Sequence, residues 1–260
     1  MTAVDFAGFV DDLATLSGTA ILPFFRTTLA AADKSRGGVF DPVTEADRAG
    51  EAAMRQMIKR TFPSHGIIGE EYGDERTDSE FVWVLDPIDG TKSFIAGLPT
   101  WGTLIGLTRH GQPCYGMMHQ PFTRERFFGD GGSAHWRGPT GERTLRTRRC
   151  DALGDAILST TSPRLFAAAD LSCFERVEAE ARLTRFGYDC YAYCMLAAGL
   201  IDIVIETGLK PYDIVALAPI VQGAGGVVTT WSGGSPAEGG SIVASGDPRL
   251  HEKTLALLNR

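Results

Sequence analysis

Apolar residues at Phe6, Phe9, Val10, Leu13, Leu16 and Ala20 recur at steps of three and four, which predicts an amphipathic helix running toward Leu29, with Pro23 as a point of kinking. The next stretch, AADKSRGGVFDP, is charged, glycine-rich and aperiodic, so a loop is expected. TEADRAGEAAMRQMIKRTFP restores the helical period, with Thr44 as N-cap, Asp47 at the capping-box position and Pro63 as the stop. From Gly66 the pattern changes. GIIG, FVWVLD, GTLIGLTR and CYGMMHQP are short runs bounded by turn residues and predict strands, giving an α+β first half.

Farther along, AILSTTSP reads as a strand, FERVEAEA as a helix and CYAYCMLAAGLID as a buried helix. IDIVIET is a strand, DIVALAPIVQGAG a helix and GVVTTW a strand. This alternation predicts an α/β second half with sheet and helices in layers. The chain divides on this reading into residues 1–145 and 146–260, joined near RTLRTRR, whose Arg143, Arg146, Arg148 and Arg149 are expected on a solvated connection. Gly223, Gly225 and Gly226 do not fit a dinucleotide fingerprint and mark a helix end before Val227 and Val228.

Composition narrows the function. With 260 residues, 43% hydrophobic and 22% charged, the chain can bury a sizeable core, and disorder or a fibrous fold is excluded. A net charge of −7 argues against a nucleic-acid partner. No apolar run approaches the ~18 residues of a membrane span. Asp5, Asp11 and Asp12 near the start do not make a secretory leader, and five scattered cysteines suit a reducing compartment, so a cytoplasmic location is expected. Cys190 and Cys194 read as small buried residues, and the five histidines, lacking ligand spacing, as surface or loop residues.

The sharpest chemical feature is Asp86-Pro87-Ile88-Asp89-Gly90-Thr91, directly after a buried strand. Proline fixes the direction of the turn, and two carboxylates this close repel unless a cation joins them. Gly90 and Thr91 would then open a turn whose backbone N–H groups face an anion. An Asp-capped turn is the other reading of this segment alone. Three more acidic positions have the same look: Glu70-Glu71 after Ile67-Ile68, Asp213 after the strand ending at Glu206, and Asp47 near a helix start. Carboxylates from several strand ends, without His or Cys, suit a hard cation and favour magnesium over zinc.

Glu70-Glu71, WVLDPIDGTKSF and KPYDIVALAPIVQGAGG closely resemble the inositol-monophosphatase superfamily of magnesium-dependent, lithium-sensitive phosphomonoesterases, over nearly the whole chain. Within it, GEEYG, DGTKSFIAGLPTWGTLIGL and GYDCYAYCMLAAGLID look most like the histidinol-phosphate phosphatase branch. The resemblance implies a layered α-β-α-β-α sandwich, a homodimer and two or three Mg2+ ions per active site. By matching position, Glu70, Asp86 and the Ile88 carbonyl would hold a first magnesium, and Asp86, Asp89 and Asp213 a second. Asp47 and Thr91 would hold the attacking water, with Glu70 counted among the catalytic groups. The Gly90 and Thr91 amides would hold the phosphate. Asp189 and Glu206 map to positions facing the organic half of the substrate, where an acidic lining matches an ammonium and an imidazole better than an inositol ring. Asp189 reads equally as a helix N-cap. Arg185 is assigned either to the phosphate or to solvent, and Trp101 either to a substrate cover or to a dimer contact.

The expected function is therefore hydrolysis of L-histidinol phosphate, a small-molecule phosphate ester. The alternative within the superfamily is inositol-1-monophosphatase or another small-metabolite phosphatase. A non-catalytic binder of a phosphorylated metabolite would be expected to have lost a ligand, and none is missing.

Overall fold

The computed structural model describes residues 5–27, 32–33, 42–43 and 45–260. Helix α1 (Phe6–Ile21) starts where Asp5 accepts a hydrogen bond from the Gly8 amide, 3.2 Å away. It ends earlier than its apolar stripe predicts, because Pro23 has no amide to continue the ladder and Leu22–Phe24 tighten into a 3₁₀ turn. Two short strands, β1 (Ala32–Asp33) and β2 (Pro42–Val43), pair antiparallel within the segment expected to be a loop. Helix α2 (Glu45–Thr61) follows, and the expected cap at Thr44 lies outside the described residues.

Seven strands form the first sheet: β3 (Gly66–Gly69), β4 (Phe81–Asp89), β5 (Gly102–Arg109), β6 (Gln112–Gln120), β7 (Glu125–Gly129), β8 (Ala134–Gly138) and β9 (Gly141–Thr144). Each lies beside its chain neighbour, and β3 runs parallel to β4 while the other pairs are antiparallel. The short helix α3 (Thr91–Ile95) follows β4.

A second, five-stranded sheet has the order β11 (Leu183–Phe186), β10 (Ile157–Thr160), β12 (Ile203–Leu209), β14 (Gly240–Ser245), β13 (Val227–Thr230). It is mixed: β10 pairs parallel with β11 and β12, and β14 pairs antiparallel with β12 and β13. Its helices are α4 (Ala168–Glu178), α5 (Cys190–Ala197), α6 (Pro211–Ile214), α7 (Leu217–Gly223) and α8 (Pro248–Leu258). The single helix predicted over DIVALAPIVQGAG is thus two pieces, and its end at Ala224 before Gly225, with φ of 97°, is as expected.

Side-chain alternation along the strands produces the layers. Ile105 and Met117 face α1 and α2, whereas their neighbours Leu104 and Met118 face α5 and α7. On the second sheet Val204 and Ile242 face that same helical layer, while Ile203, Ile205 and Val243 face α4 and α8. The result is the α-β-α-β-α sandwich. Cys190 and Cys194 are buried in its middle layer as expected. No helix among the described residues is long and apolar enough to cross a membrane.

The basic connection is solvated as expected, with Arg143, Arg146, Arg148 and Arg149 exposed, while Arg148 also forms an ion pair with the buried Asp202 and Arg143 lies 4.9 Å over the Trp136 ring. Two expectations need correction. Trp101 lies in the core against Phe25 and Phe94. His119 and His251 are buried, not superficial. His119 sits on β6 beside the Glu125 carbonyl, and His251 bridges the Ser245 and Thr229 hydroxyls at 3.1 and 2.9 Å.

Burial lowers both imidazoles to about 4, so the native chain binds fewer protons than the unfolded chain between that value and the ordinary 6.5. Their stabilisation is present above pH 6.5 and is lost as the pH falls toward 4, by about 3 kcal/mol for each histidine. Urea unfolding at pH 7 and pH 4 checks this: His251→Gln is expected to show a smaller loss between the two than the wild type.

Candidate active site

Asp86 and Asp89 lie on one strand yet reach one place because β4 is irregular between them. Asp86 pairs with Leu104 and Asp89 with Gly102, so three steps along β4 oppose two along β5. The extra residue re-aims the strand, as a bulge does. It is pinned by the Thr103 hydroxyl donating to the Pro87 carbonyl at 2.8 Å and by the Ile88 amide donating to Asp86 at 2.9 Å. Asp213, from α6, joins them, and carboxylate oxygens of Asp86, Asp89 and Asp213 lie within 4.8 Å of one another.

Burial raises the Asp86 carboxyl well above the ordinary carboxylate range, and repulsion from Glu70, Asp89, Asp213 and Asp47 raises it further. Four other acidic positions read from the sequence thus act on Asp86. Asp89 is likewise raised by burial and by Asp189 and Asp213, although the Cys190 amide donates to it at 2.6 Å. An assembly of hard oxygen donors that resist shared negative charge is the donor set of a divalent cation such as magnesium.

Glu70 follows β3, and the loop beyond it is anchored by Glu51 of α2. The buried Glu51 carboxylate accepts from the amides of Glu71 and Tyr72 at 2.7 and 3.1 Å and from Arg55 Nε at 2.7 Å. Sequence reading did not single out Glu51. Its signal was a Glu-Arg pair four residues apart on a helix, indistinguishable from an ordinary surface pair. The Ile88 carbonyl accepts from the Thr91 hydroxyl at 3.1 Å, and Gly90, at φ 87°, turns the chain into α3. A Cβ on Gly90 would come within 3.0 Å of the Thr100 carbonyl and 3.1 Å of the Asp189 carboxylate, so its bareness lets Asp189 approach.

Asp189 occupies the position before α5 but makes no side-chain cap. Its carboxylate instead accepts from the Ser93 hydroxyl at 3.1 Å, and its backbone is held at φ 45°, ψ −136°. Burial raises its carboxyl, opposed by the Ser93 and Thr161 hydroxyls and by Lys92. Glu206, buried on β12, is pushed up to about 8 by burial, although it accepts from the Thr161 amide at 2.7 Å and the Thr160 hydroxyl at 3.3 Å. Asp89, Asp189, Glu206 and Asp213 line one cleft, with Thr161 and Tyr193 as further walls. The sequence does not single out Ser93, Thr161 or Tyr193, since isolated hydroxyl residues give no pattern of their own. Arg185 is not brought in: it is exposed on β11, its guanidinium donates to the Tyr188 hydroxyl at 2.7 Å, and no described contact ties it to the acidic cluster.

The layered sandwich and the carboxylate cleft at its centre are those of a phosphatase fold of the inositol-monophosphatase type. Residues 6–260 match the inositol monophosphatase family, and the chain belongs to it. It is similar to the Arabidopsis thaliana protein described as bifunctional phosphatase IMPL2, chloroplastic, at 42% identity over 97% of this chain and 75% of that one. A histidinol-phosphatase of Mycobacterium tuberculosis is 36% identical over 84% of this chain and 85% of its own. Among solved structures, an inositol monophosphatase from Zymomonas mobilis superposes with a TM-score of 0.87 at 38% identity, covering 99% of this chain and 100% of that chain. Phosphatases of this family are generally magnesium-dependent.

Proposed function

We propose that the chain hydrolyses L-histidinol phosphate to L-histidinol and phosphate, as a homodimer in the cytoplasm. The observation that carries the substrate choice is the pair of buried carboxylates, Asp189 and Glu206, on the wall of the cleft beside Asp89 and Asp213. An ammonium or a protonated imidazole arriving there gains charge-assisted hydrogen bonds, whereas a polyol gains neutral ones. The histidinol-phosphatase relatives support the same choice. Hydrolysis of inositol phosphate is the second reading, supported by the likeness to the Zymomonas mobilis enzyme.

Glu70, Asp86, Asp89, Asp213 and the Ile88 carbonyl would hold the magnesium ions. Once bound, those ions supply Lewis acidity toward the phosphate and the departing alkoxide, and acidify water. Asp47 and Thr91 orient the attacking water. The Gly90 and Thr91 amides hold phosphate oxygens, while Asp189 and Glu206 orient the alcohol half. On this reading water is the nucleophile, attacking phosphorus in line with the departing alkoxide.

Side-by-side turnover of histidinol phosphate, inositol phosphate and phenyl phosphate by the magnesium-loaded protein tests the assignment. In Asp189→Asn the ratio of kcat/KM for histidinol phosphate to that for phenyl phosphate is expected to fall about ten- to a hundredfold, the worth of one charge-assisted bond. Equal losses on the two esters would make Asp189 structural and remove this support for the substrate.

A further inference from the structure

Tyr193 stands on α5 with its ring in the middle-layer core and only 3% of its surface exposed. Its hydroxyl is one of the few buried side-chain polar atoms among the described residues that meet no hydrogen-bond partner in the protein. The residue lines the same cleft as Asp89, Asp189, Glu206 and Asp213, at an inner end of about 20 Å³ that has room for one water-sized polar group. Burial, together with the nearby Glu206, Asp89 and Asp213 carboxylates, raises the phenol well above its ordinary value, so it stays protonated and neutral. A buried hydroxyl without a partner is costly, and phenylalanine would fill the same core volume without that cost. The oxygen can both donate and accept, so it can serve a polar group that enters the cleft.

We infer that the Tyr193 hydroxyl is a specificity contact, hydrogen-bonding an N–H or O–H group on the alcohol half of the substrate. Asp189 and Glu206 supply carboxyl groups on this wall of the cleft, and Tyr193 adds a hydroxyl of fixed direction, because its ring is held by the core. The inference rests on the reading that this cleft receives the alcohol half of a phosphate ester.

Tyr193→Phe keeps the ring and removes only the oxygen. The wild type is first assayed on histidinol phosphate, inositol phosphate and phenyl phosphate, whose phenyl group offers no hydrogen-bonding partner. In the variant, the ratio of kcat/KM for the preferred polar ester to that for phenyl phosphate is expected to fall about five- to tenfold, mainly through KM. The melting temperature of the ligand-free variant should equal or exceed that of the wild type, because no internal hydrogen bond is lost. The half-saturating magnesium concentration should stay the same. An unchanged ratio, a lowered melting temperature or a shifted magnesium requirement would each overturn the inference. If the wild type prefers inositol phosphate, the histidinol reading fails by itself, and the Tyr193 assignment is then judged on that ester by the same ratio.

Discussion

Asp86→Asn is expected to yield a folded protein whose magnesium-saturated turnover is lower by on the order of a thousandfold. Asp86 is the most deeply buried of the three clustered carboxylates, and Glu70, Asp89, Asp213 and Asp47 all act on it. An amide there keeps the shape and can still accept from the Ile88 amide, but it removes one negative charge from the centre of the donor set. That same charge burdens the protein when no cation is present. In chelator the variant should therefore melt higher than the wild type by about 2–4 °C, corresponding to roughly 1 kcal/mol. Enzyme assays paired with thermal melts in chelator separate the two effects. Full turnover by the folded variant would remove Asp86 from the mechanism.

Gly116→Ala is expected to lower stability by about 3 kcal/mol or more, through overpacking against backbone that cannot yield cheaply. Gly106 and Gly116 face each other across β5 and β6, leaving a bare patch on the first sheet. Val215 and Ala216, between α6 and α7, rest on that patch. A Cβ on Gly116 would lie 1.8 Å from the Ala216 carbonyl oxygen, and one on Gly106 would lie 2.8 Å from a Val215 methyl. The seated segment begins two residues after Asp213, so any outward shift also carries that carboxylate away from Asp86 and Asp89. A melt lowered by about 6–12 °C, with weakened magnesium binding in whatever remains folded, is the expected outcome. An unaltered melt would mean that the Ala216 carbonyl does not sit against Gly116.

Parts of this arrangement were legible in the chain because they are local. Proline and two acids within four residues marked Asp86 to Asp89 as a chemical site at the end of a strand, and the change from helical to strand period at Gly66 located the first sheet. What escaped depends on partners distant in sequence. The bulge that turns Asp86 and Asp89 to one side exists only in the pairing of β4 with β5. Strands β7 and β8 carry charged residues beside their aromatic ones and β9 is polar apart from its glycine, which hides the alternation, and their order emerges from pairing. His119 and His251 are polar by type and buried by contact. Tyr193 belongs to an apolar helical run, and nothing in that run tells which end of the ring faces a cleft. Asp189 stands where a helix cap belongs in the sequence, whereas in the fold its carboxylate accepts from Ser93, nearly a hundred positions earlier.

Asp189 also carries a consequence for how far this chain can be made more robust. At φ 45° and ψ −136° it occupies a conformation that glycine adopts freely and an L side chain adopts only at a cost of about 1–3 kcal/mol. Burial adds a further penalty on its charge. A search for stabilising substitutions that scored folding alone would therefore arrive at glycine here, and it would erase the carboxylate facing the cleft. Thermal resilience and substrate choice compete for a single position, and engineering the scaffold for heat should leave that position alone.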